Sequence, residues 1–305
     1  MEKLSIVVPA YNEAECVAKF CAAVAELDVP CRLEIVFVDD GSEDETLSEV
    51  KRLSSADDRI RYVSFSRNFG KEAALLAGIA HSTGDAVVTM DADLQHDPSL
   101  IPGMIRAIAC EGYDSVAVRR TSRKGDPKLR SLFARCFYSL MGSFSDVQLK
   151  DGMMDYRMMT RQMADAVLSL GEANRFTKGI YQWVGFRTKW IDCENAGRIA
   201  SGSKWSLLSL FKYSVRGILA FSTAPLQLAS VLGIFSTVLA FLYMAWVFVK
   251  WLAFGDPVAG WPTIICLVLM LGGLQLFVIG ILGLYIAGIF RETKRRPVFI
   301  VRESK

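Results

Sequence analysis

Apolar positions fall into two regimes along this chain. In its first two thirds they come as short runs between polar clusters; in its last third they form two long stretches. Five of the short runs have strand length: "LSIVVPA" (4–10), "LEIVFVD" (33–39), "IRYVSFS" (60–66), "DAVVTMD" (85–91) and "DSVAVR" (114–119). The intervals 13–27, 44–54, 71–82 and 98–111 are long enough for helices. Apolar, β-branched strands alternating with helices predict an α/β domain whose mainly parallel sheet is covered on both faces. Ligands of such sheets bind beyond the carboxyl ends of the strands. The polar clusters "PAYNE", "DDGS", "SRNFGK", "DADLQ" and "RRTSR" stand at those ends and should converge.

The long stretches behave differently. Gly217–Val249 and Pro257–Phe290 contain no charged residue, with only Lys250 and Asp256 between them. Each exceeds the ~20 apolar residues that span a bilayer, which predicts two transmembrane helices over 225–250 and 262–289, joined by "FGDPVAG" (254–260). Core helices of a soluble domain are rarely apolar on all faces for so long. Lys204, Lys212 and Arg216 precede the pair, and Arg291, Lys294, Arg295 and Arg296 follow it. The positive-inside rule therefore puts both termini on the cytoplasmic side of a plasma or inner membrane.

The expected organisation is a cytoplasmic catalytic domain over 1–200, a juxtamembrane amphipathic helix over 201–222, a hairpin over 223–290 and a basic tail over 291–305. The hydrophobic content of 52% over 305 residues fits a partly lipid-embedded protein. "MEKLSIVVPAYNE" reads as a first strand, since its apolar run is too short for a signal peptide. Seven cysteines without a C-x-x-C pair, and only two histidines, indicate free thiols and neither a zinc site nor a disulfide framework. No G-x-G-x-x-G follows the first strand, no P-loop occurs, and nothing points to nucleic acid.

The chemistry concentrates in "TMDADLQHDP" (89–98). In locally extended chain, Asp91, Asp93 and Gln95 would face one point. Paired carboxylates repel unless a cation joins them, and a hard ion such as Mg²⁺ or Mn²⁺ prefers oxygen ligands and shares its shell with substrate phosphates. Asp97, before Pro98, is expected to start the next helix instead. At the second strand's end, Asp39 and Asp40 could accept hydrogen bonds from a base or ribose, while Ser42 with Glu45 matches a capping box. Lys71 could reach a phosphate beside helix amides, or be an ordinary surface lysine.

Taken in order, "IVVPAYNE", "VDDGS", "RNFGKEAAL", "DADLQHDP", "DYRMMTR" and "GRIASGSKW", then an apolar hairpin, resemble the polyprenyl-phosphate glycosyltransferases of glycosyltransferase family 2. Within that family the sequence is most similar to bactoprenol-phosphate glucosyl- or N-acetylglucosaminyltransferases and, more distantly, to dolichol-phosphate mannose synthase. The resemblance implies a GT-A fold. It assigns Pro9, Tyr11, Glu13, Val38, Asp39 and Asp40 to base and ribose, and Asp91, Ala92 and Asp93 to the sugar nucleotide, with Asp91, Asp93 and Gln95 around the metal. Arg120 matches an arginine at a strand end, and Arg198 with Lys204 a basic pair for a diphosphate or lipid phosphate. Asp155 takes the place of the proposed general base, with Arg157 beside it. Met154 stands where the family usually has glycine, and Asp151 is a second acid nearby.

The implied reaction is inverting transfer of one sugar from a nucleotide sugar, UDP-glucose or UDP-N-acetylglucosamine, to undecaprenyl phosphate. The glycolipid would serve cell-envelope modification through a separate flippase and a downstream glycosyltransferase, and the resemblance suggests a homo-oligomer. A phosphate monoester with second pKa ~6 is already mostly dianionic near neutrality, so Asp155 is expected to position groups more than to remove a proton. "KLRSLFARCFYSLMGSF" (128–144) has an apolar stripe at helical spacing beside basic residues, which suits an interfacial helix or a core helix. A processive polysaccharide synthase would need more spans and a Q-x-x-R-W motif, absent here. A membrane-anchored sugar-nucleotide scaffold is the non-enzymatic alternative.

Overall fold

The computed structural model describes residues 1–120, 152–193, 221–254 and 261–305. The side chain of Arg120 and all of Asp151, Arg198, Lys204 and the 128–144 segment lie outside the described residues, as does most of 201–222.

The amino-terminal half alternates as its apolar pattern predicts: β1 (Lys3–Ala10), α1 (Ala14–Ala25), β2 (Arg32–Asp39), α2 (Thr46–Ala56), β3 (Ile60–Phe65), α3 (Lys71–His81) and β4 (Ala86–Thr89). A single tight turn at Pro98–Leu100 leads into α4 (Ile101–Glu111), followed by β5 (Ser115–Arg120). Then come β6 (Met153–Thr160), α5 (Arg161–Ser169), α6 (Thr177–Trp183) and β7 (Thr188–Cys193). Two long helices, α7 (Ala224–Phe254) and α8 (Trp261–Thr293), precede a last strand, β8 (Val301–Ser304).

The eight described strands form one sheet in the order β7-β5-β6-β4-β1-β2-β3-β8. β1, β2, β3 and β4 pair in parallel, as β5 does with β7. β6 is antiparallel to both β4 and β5, and β8 is antiparallel to β3, so the sheet is mixed. Strand alternation sends Leu4, Ile6 and Val8 to one face, where they pack with Phe20 of α1 and Ile101 and Met104 of α4. Val7 points the other way, to Ile79 of α3, Met163 of α5 and Ile180 of α6. Both faces are thus covered, as parallel strands require.

Three boundaries differ from the expectations, each for a local reason. α2 begins at Thr46 with no side-chain cap, so the Ser42/Glu45 capping box does not form. Ser42 is used elsewhere: its Oγ accepts from Asn12 N at 3.0 Å and its own N–H donates to Asp39 Oδ1 at 3.1 Å. β4 stops at Thr89, two residues before Asp91. The segment expected as a basic tail returns to the sheet as β8, where Phe299 stacks on Phe65 at 5.1 Å and Lys51 pairs with Glu303 at 2.7 Å.

α7 and α8 are long and apolar enough to cross a membrane at Ala224–Val247 and Met270–Thr293. At ~1.5 Å per residue, the 31 residues of α7 reach about 46 Å, beyond a hydrocarbon core of ~30 Å. Most of the described large apolar side chains on these helices are exposed, Leu276 at 72% among them. Tyr285 Oη donates to Ser222 O at 2.7 Å across the hairpin. At the end of α8, Glu292 accepts from Ala173 N and Asn174 N at 3.0 Å, tying the hairpin to the α/β domain.

Candidate active site

A cleft of about 520 Å³ opens at the carboxyl ends of the central strands. It is lined by the 9–16 segment after β1, by Asp40 and Asp44 after β2, by Asn68, Gly70 and Lys71 at the start of α3, and by Asp91–Asp93 after β4. The predicted Pro9, Tyr11, Glu13, Asp40, Lys71, Asp91, Ala92 and Asp93 all meet there. A larger groove of about 620 Å³ between α7 and α8 is lined by apolar side chains with Ser236, Thr237 and Gln275, and has no ionisable group to do chemistry.

The upper wall of the cleft is sewn together by hydrogen bonds between loops. Asn12, in left-handed backbone at φ 54°, accepts from Glu43 N at 2.9 Å, and Thr46 Oγ1 accepts from Glu13 N at 2.8 Å. Asp39 is 2% exposed and Asp40 4% exposed. Asp39 accepts from Ser64 Oγ at 2.8 Å, and Asp40 from Phe69 N at 2.6 Å and Gly70 N at 2.9 Å. Burial pushes the Asp40 carboxyl above its ordinary value even though those amides oppose the shift. Gly41 follows at φ +68°, and a Cβ there would lie 2.5 Å from Arg67 C, so only glycine admits this approach.

The D-A-D stretch is a turn and not extended chain. Leu94 takes φ 56°, which breaks the alternation that would set Asp91, Asp93 and Gln95 on one line. His96, almost fully buried, braces the turn: Asp91 N donates to His96 Nδ1 at 3.0 Å, and the ring stacks on Tyr156 at 5.0 Å. That acceptor role fixes the Nε2–H tautomer, and burial lowers the imidazole pKa. Tyr156 in turn donates to Asp97 O at 2.9 Å. Asp97 caps the following turn by accepting from Ser99 N at 2.9 Å, as predicted.

Strand register brings Asp155 beside the cleft residue Asp91. β6 runs antiparallel to β4 with Thr89 opposite Arg157. Extending that register by two positions sets Asp155 opposite Asp91, and Thr89 Oγ1 donates to Asp155 O at 2.6 Å. Lys71 Nζ lies between the two carboxylates, 2.7 Å from Asp91 Oδ1 and 2.8 Å from Asp155 Oδ2. Lys178 Nζ approaches Asp155 Oδ1 at 3.6 Å. Burial opposes ionisation throughout this cluster, and mutual attraction overcomes it. Lys178 and Lys71 hold the Asp155 carboxyl well below its usual range, Lys71 lowers Asp91, and the two acids raise Lys71. Asp155 is therefore a firmly ionised carboxylate and a weak base.

Several predicted residues take other positions. Val38 is fully buried in the core against Val63 and Ala77, so its side chain cannot touch a ligand. Asp39 is occupied by Ser42 and Ser64 in holding the turn. Gln95 Nε2 donates to Asp93 Oδ2 at 2.7 Å, so Gln95 supports Asp93 and is not one of the residues lining the cleft. Arg157 is 1% exposed beneath the site, with Nη1 donating to Ser115 Oγ at 3.0 Å and its guanidinium 4.8 Å from the Tyr181 ring. Burial lowers its pKa to about 10, and it meets no substrate-accessible space. Sequence reading missed Asn12, Asp44 and Asn68 in the wall, His96 under the turn, and Glu72 and Lys178 beside Asp155. "NFGKEAAL" and "RFTKGIYQW" did carry a signal, a charged pair or lysine opening a helix, but one indistinguishable from a solvated helix start.

Asp91 and Asp93 are oxygen donors in one cleft and fit a hard divalent ion as two ligands, leaving the rest of its shell to phosphates. Among the described residues no set of three or more acidic, histidine or cysteine side chains is gathered about one point.

Residues 5–168 match Glycosyl transferase family 2, and the chain belongs to that family. It is a glycosyltransferase. It is 44% identical over 303 residues to a putative glycosyltransferase, CsbB, of Bacillus subtilis (strain 168), covering 99% of this chain and 92% of that one. It is 40% identical to the bactoprenol glucosyl transferase of Shigella phage SfV, covering 99% of both, and 38% identical to a prophage bactoprenol glucosyl transferase homolog of Escherichia coli (strain K12), again covering 99% of both. Among solved structures, glucosyl-3-phosphoglycerate synthase from Mycobacterium tuberculosis, in complex with Mn²⁺, UDP-glucose and phosphoglyceric acid, overlaps with a TM-score of 0.49 at 17% identity. That overlap covers 72% of this chain and 78% of the other.

Proposed function

We propose that this protein transfers a single glucose from UDP-glucose to undecaprenyl phosphate at the cytoplasmic face of a bacterial plasma membrane. The observation that carries this reading is the meeting of Asp91, from the nucleotide-side turn, with Asp155, from β6, on the cleft-lining ammonium of Lys71. A donor lying along the 9–16 wall and the D-A-D turn would present its anomeric carbon near that junction. Relatives named bactoprenol glucosyl transferase, matching over nearly the full chain, support glucose and the polyprenyl acceptor. The apolar pair α7 and α8 supports an anchor that keeps the site at the bilayer surface, and the basic residues flanking it support cytoplasmic sidedness.

In this reading Asp91 and Asp93 hold Mg²⁺ or Mn²⁺. When bound, the ion supplies charge stabilisation to the departing diphosphate. The chain's own residues do the rest. The Tyr11–Glu13 segment and Asp40 shape the nucleotide side of the cleft. Lys71 exchanges its carboxylate partners for phosphate oxygen, a charge-assisted contact that grows as negative charge develops on the leaving group. Asp155, already ionised and a poor base, orients the acceptor and sugar hydroxyls, since the acceptor phosphate needs no deprotonation near neutrality. Arg120, Arg198 and Lys204 remain candidates for phosphate contacts from the sequence.

The test is to incubate the purified full-length protein with undecaprenyl phosphate and labelled UDP-glucose, UDP-N-acetylglucosamine or GDP-mannose, with and without Mg²⁺ or Mn²⁺. Metal-dependent labelling of the lipid from UDP-glucose is expected. No labelled lipid from any donor would sink the enzyme reading, and transfer unaffected by chelator would remove the metal.

A further inference from the structure

The starts of α3 and α6 meet around Asp155 through two adjacent residue pairs. Lys71-Glu72 opens α3 and Thr177-Lys178 opens α6. Glu72 accepts from Thr177 N at 3.0 Å and also from Thr177 Oγ1, which pins the two helix starts together. Both lysines then turn to the same carboxylate, but to different oxygens: Lys71 to Oδ2 at 2.8 Å and Lys178 to Oδ1 at 3.6 Å. Their other contacts diverge. Lys71 also holds Asp91 and lines the nucleotide cleft. Lys178 donates to Met153 O at 2.9 Å, is not among the cleft-lining residues, and is 21% exposed.

An inverting displacement separates its two phosphate groups. The attacking oxygen arrives on the face of the sugar opposite the leaving diphosphate, so cations serving the two must stand apart. A dianionic phosphate monoester is also repelled by the Asp155 carboxylate unless a cation lies between them. Lys178 meets both requirements: it faces the Asp155 oxygen that Lys71 leaves free, and at 3.6 Å its ion pair is longer than a hydrogen bond, so a phosphate oxygen can enter beside it.

We propose that Lys178 binds the phosphate of the lipid acceptor, and that Lys71 and Lys178 divide the two substrates between them, Lys71 serving the nucleotide sugar. This rests on the polyprenyl-phosphate reading above. In the transfer, a phosphate oxygen of the acceptor held by Lys178 forms the new bond to the anomeric carbon as the bond to the nucleoside diphosphate breaks. The electron pair leaves with the diphosphate and no redox partner is needed.

The experiment combines steady-state kinetics with equilibrium binding of labelled undecaprenyl phosphate, using full-length protein in detergent. Lys178→Gln should raise the acceptor's KM and Kd by about tenfold or more, the loss expected for one hydrogen bond between charged groups. The KM for UDP-glucose should stay within about twofold, and Lys178→Arg should recover most of the acceptor affinity, which a merely structural lysine would not require. Lys71→Gln should show the reverse split. Unchanged acceptor binding in Lys178→Gln, or an equal rise in both KM values, would overturn the proposal. Should the wild-type protein form no glycolipid, the transfer reading fails, while the binding comparison still decides the role of Lys178.

Discussion

Two acidic pairs stand at the ends of the strands on either side of β1, and they are built in opposite ways. Asp39 and Asp40 are almost fully buried, and their oxygens are taken by the hydroxyl of Ser64 and by the backbone N–H groups of Ser42, Phe69 and Gly70. Asp91 keeps 31% of its side chain exposed and is held by the ammonium of Lys71, which also serves Asp155. A partner fixed in the backbone cannot leave without unmaking a turn, whereas a lysine on a four-carbon stem can exchange one anion for another. The first pair holds the shape of the cleft, and in the proposed function the second exchanges partners with substrate.

Replacing members of each pair tests that contrast, and the largest effect belongs to the exchangeable side. Asp93→Ala should cut glycolipid formation by about a thousandfold while leaving the thermal midpoint near that of wild type. A loss of that size accompanied by unfolding would move Asp93 to the structural group. A carboxylate outside both pairs, Glu34, gives a reference for a purely structural acid. It is 3% exposed, and burial, which would raise its pKa, is outweighed by Ser5, Thr83, Arg61 and Lys3, which bring it down from 4.5 to about 2. Its stabilising contribution is therefore complete above pH 4.5 and is lost as pH falls toward 2. Glu34→Gln should cost about 3 kcal/mol at neutral pH, measured by denaturant or heat, with both KM values unchanged in the folded fraction.

Asp155→Asn should be milder than Asp93→Ala, at about tenfold in rate, because the positioning role survives in part and no strong base is lost. Its acid limb, near pH ~6, should match that of wild type, since the titrating group there is the acceptor phosphate. An acid limb that moved with the mutation would restore Asp155 as a base. The smallest effect is expected for Asp40→Asn. Burial raises the Asp40 pKa, so its charge is a cost, and an amide oxygen still accepts from one of the two N–H groups. About 1 kcal/mol of stability and a rise of about threefold in the KM for UDP-glucose are expected. If this variant were as inactive as Asp93→Ala, the contrast between the pairs would not hold.

The strands and helices of the first half were legible because each apolar run is continuous and ends in a polar cluster, so β1 to β5 and α1 to α4 fall within a few residues of expectation. β6 was not, since "MMDYRMMT" offers no β-branched run and alternates acid, arginine and methionine. Its antiparallel register is a tertiary fact, and with it went the partnership of Asp91 and Asp155. The cleft wall was legible through "PAYNE" and "DADLQ", whereas the D-A-D stretch is not extended chain because Leu94 adopts positive φ. Arg157 looked functional beside Asp155, and the strand pleat does set both on one face, yet two residues further along β6 that face is covered and Arg157 packs against Tyr181 and Trp190. Lys178 escaped notice because nothing in "RFTKGIYQW" tells which carboxylate a helix-opening lysine will meet.

β8 has a bearing on how the molecule is made. It is translated after both α7 and α8, yet it lies at the far edge of the sheet whose first strand is β1, with Phe299 stacked on Phe65 and the segment to Phe69 beyond. The outer edge of β3 is therefore paired only once the apolar hairpin has left the ribosome.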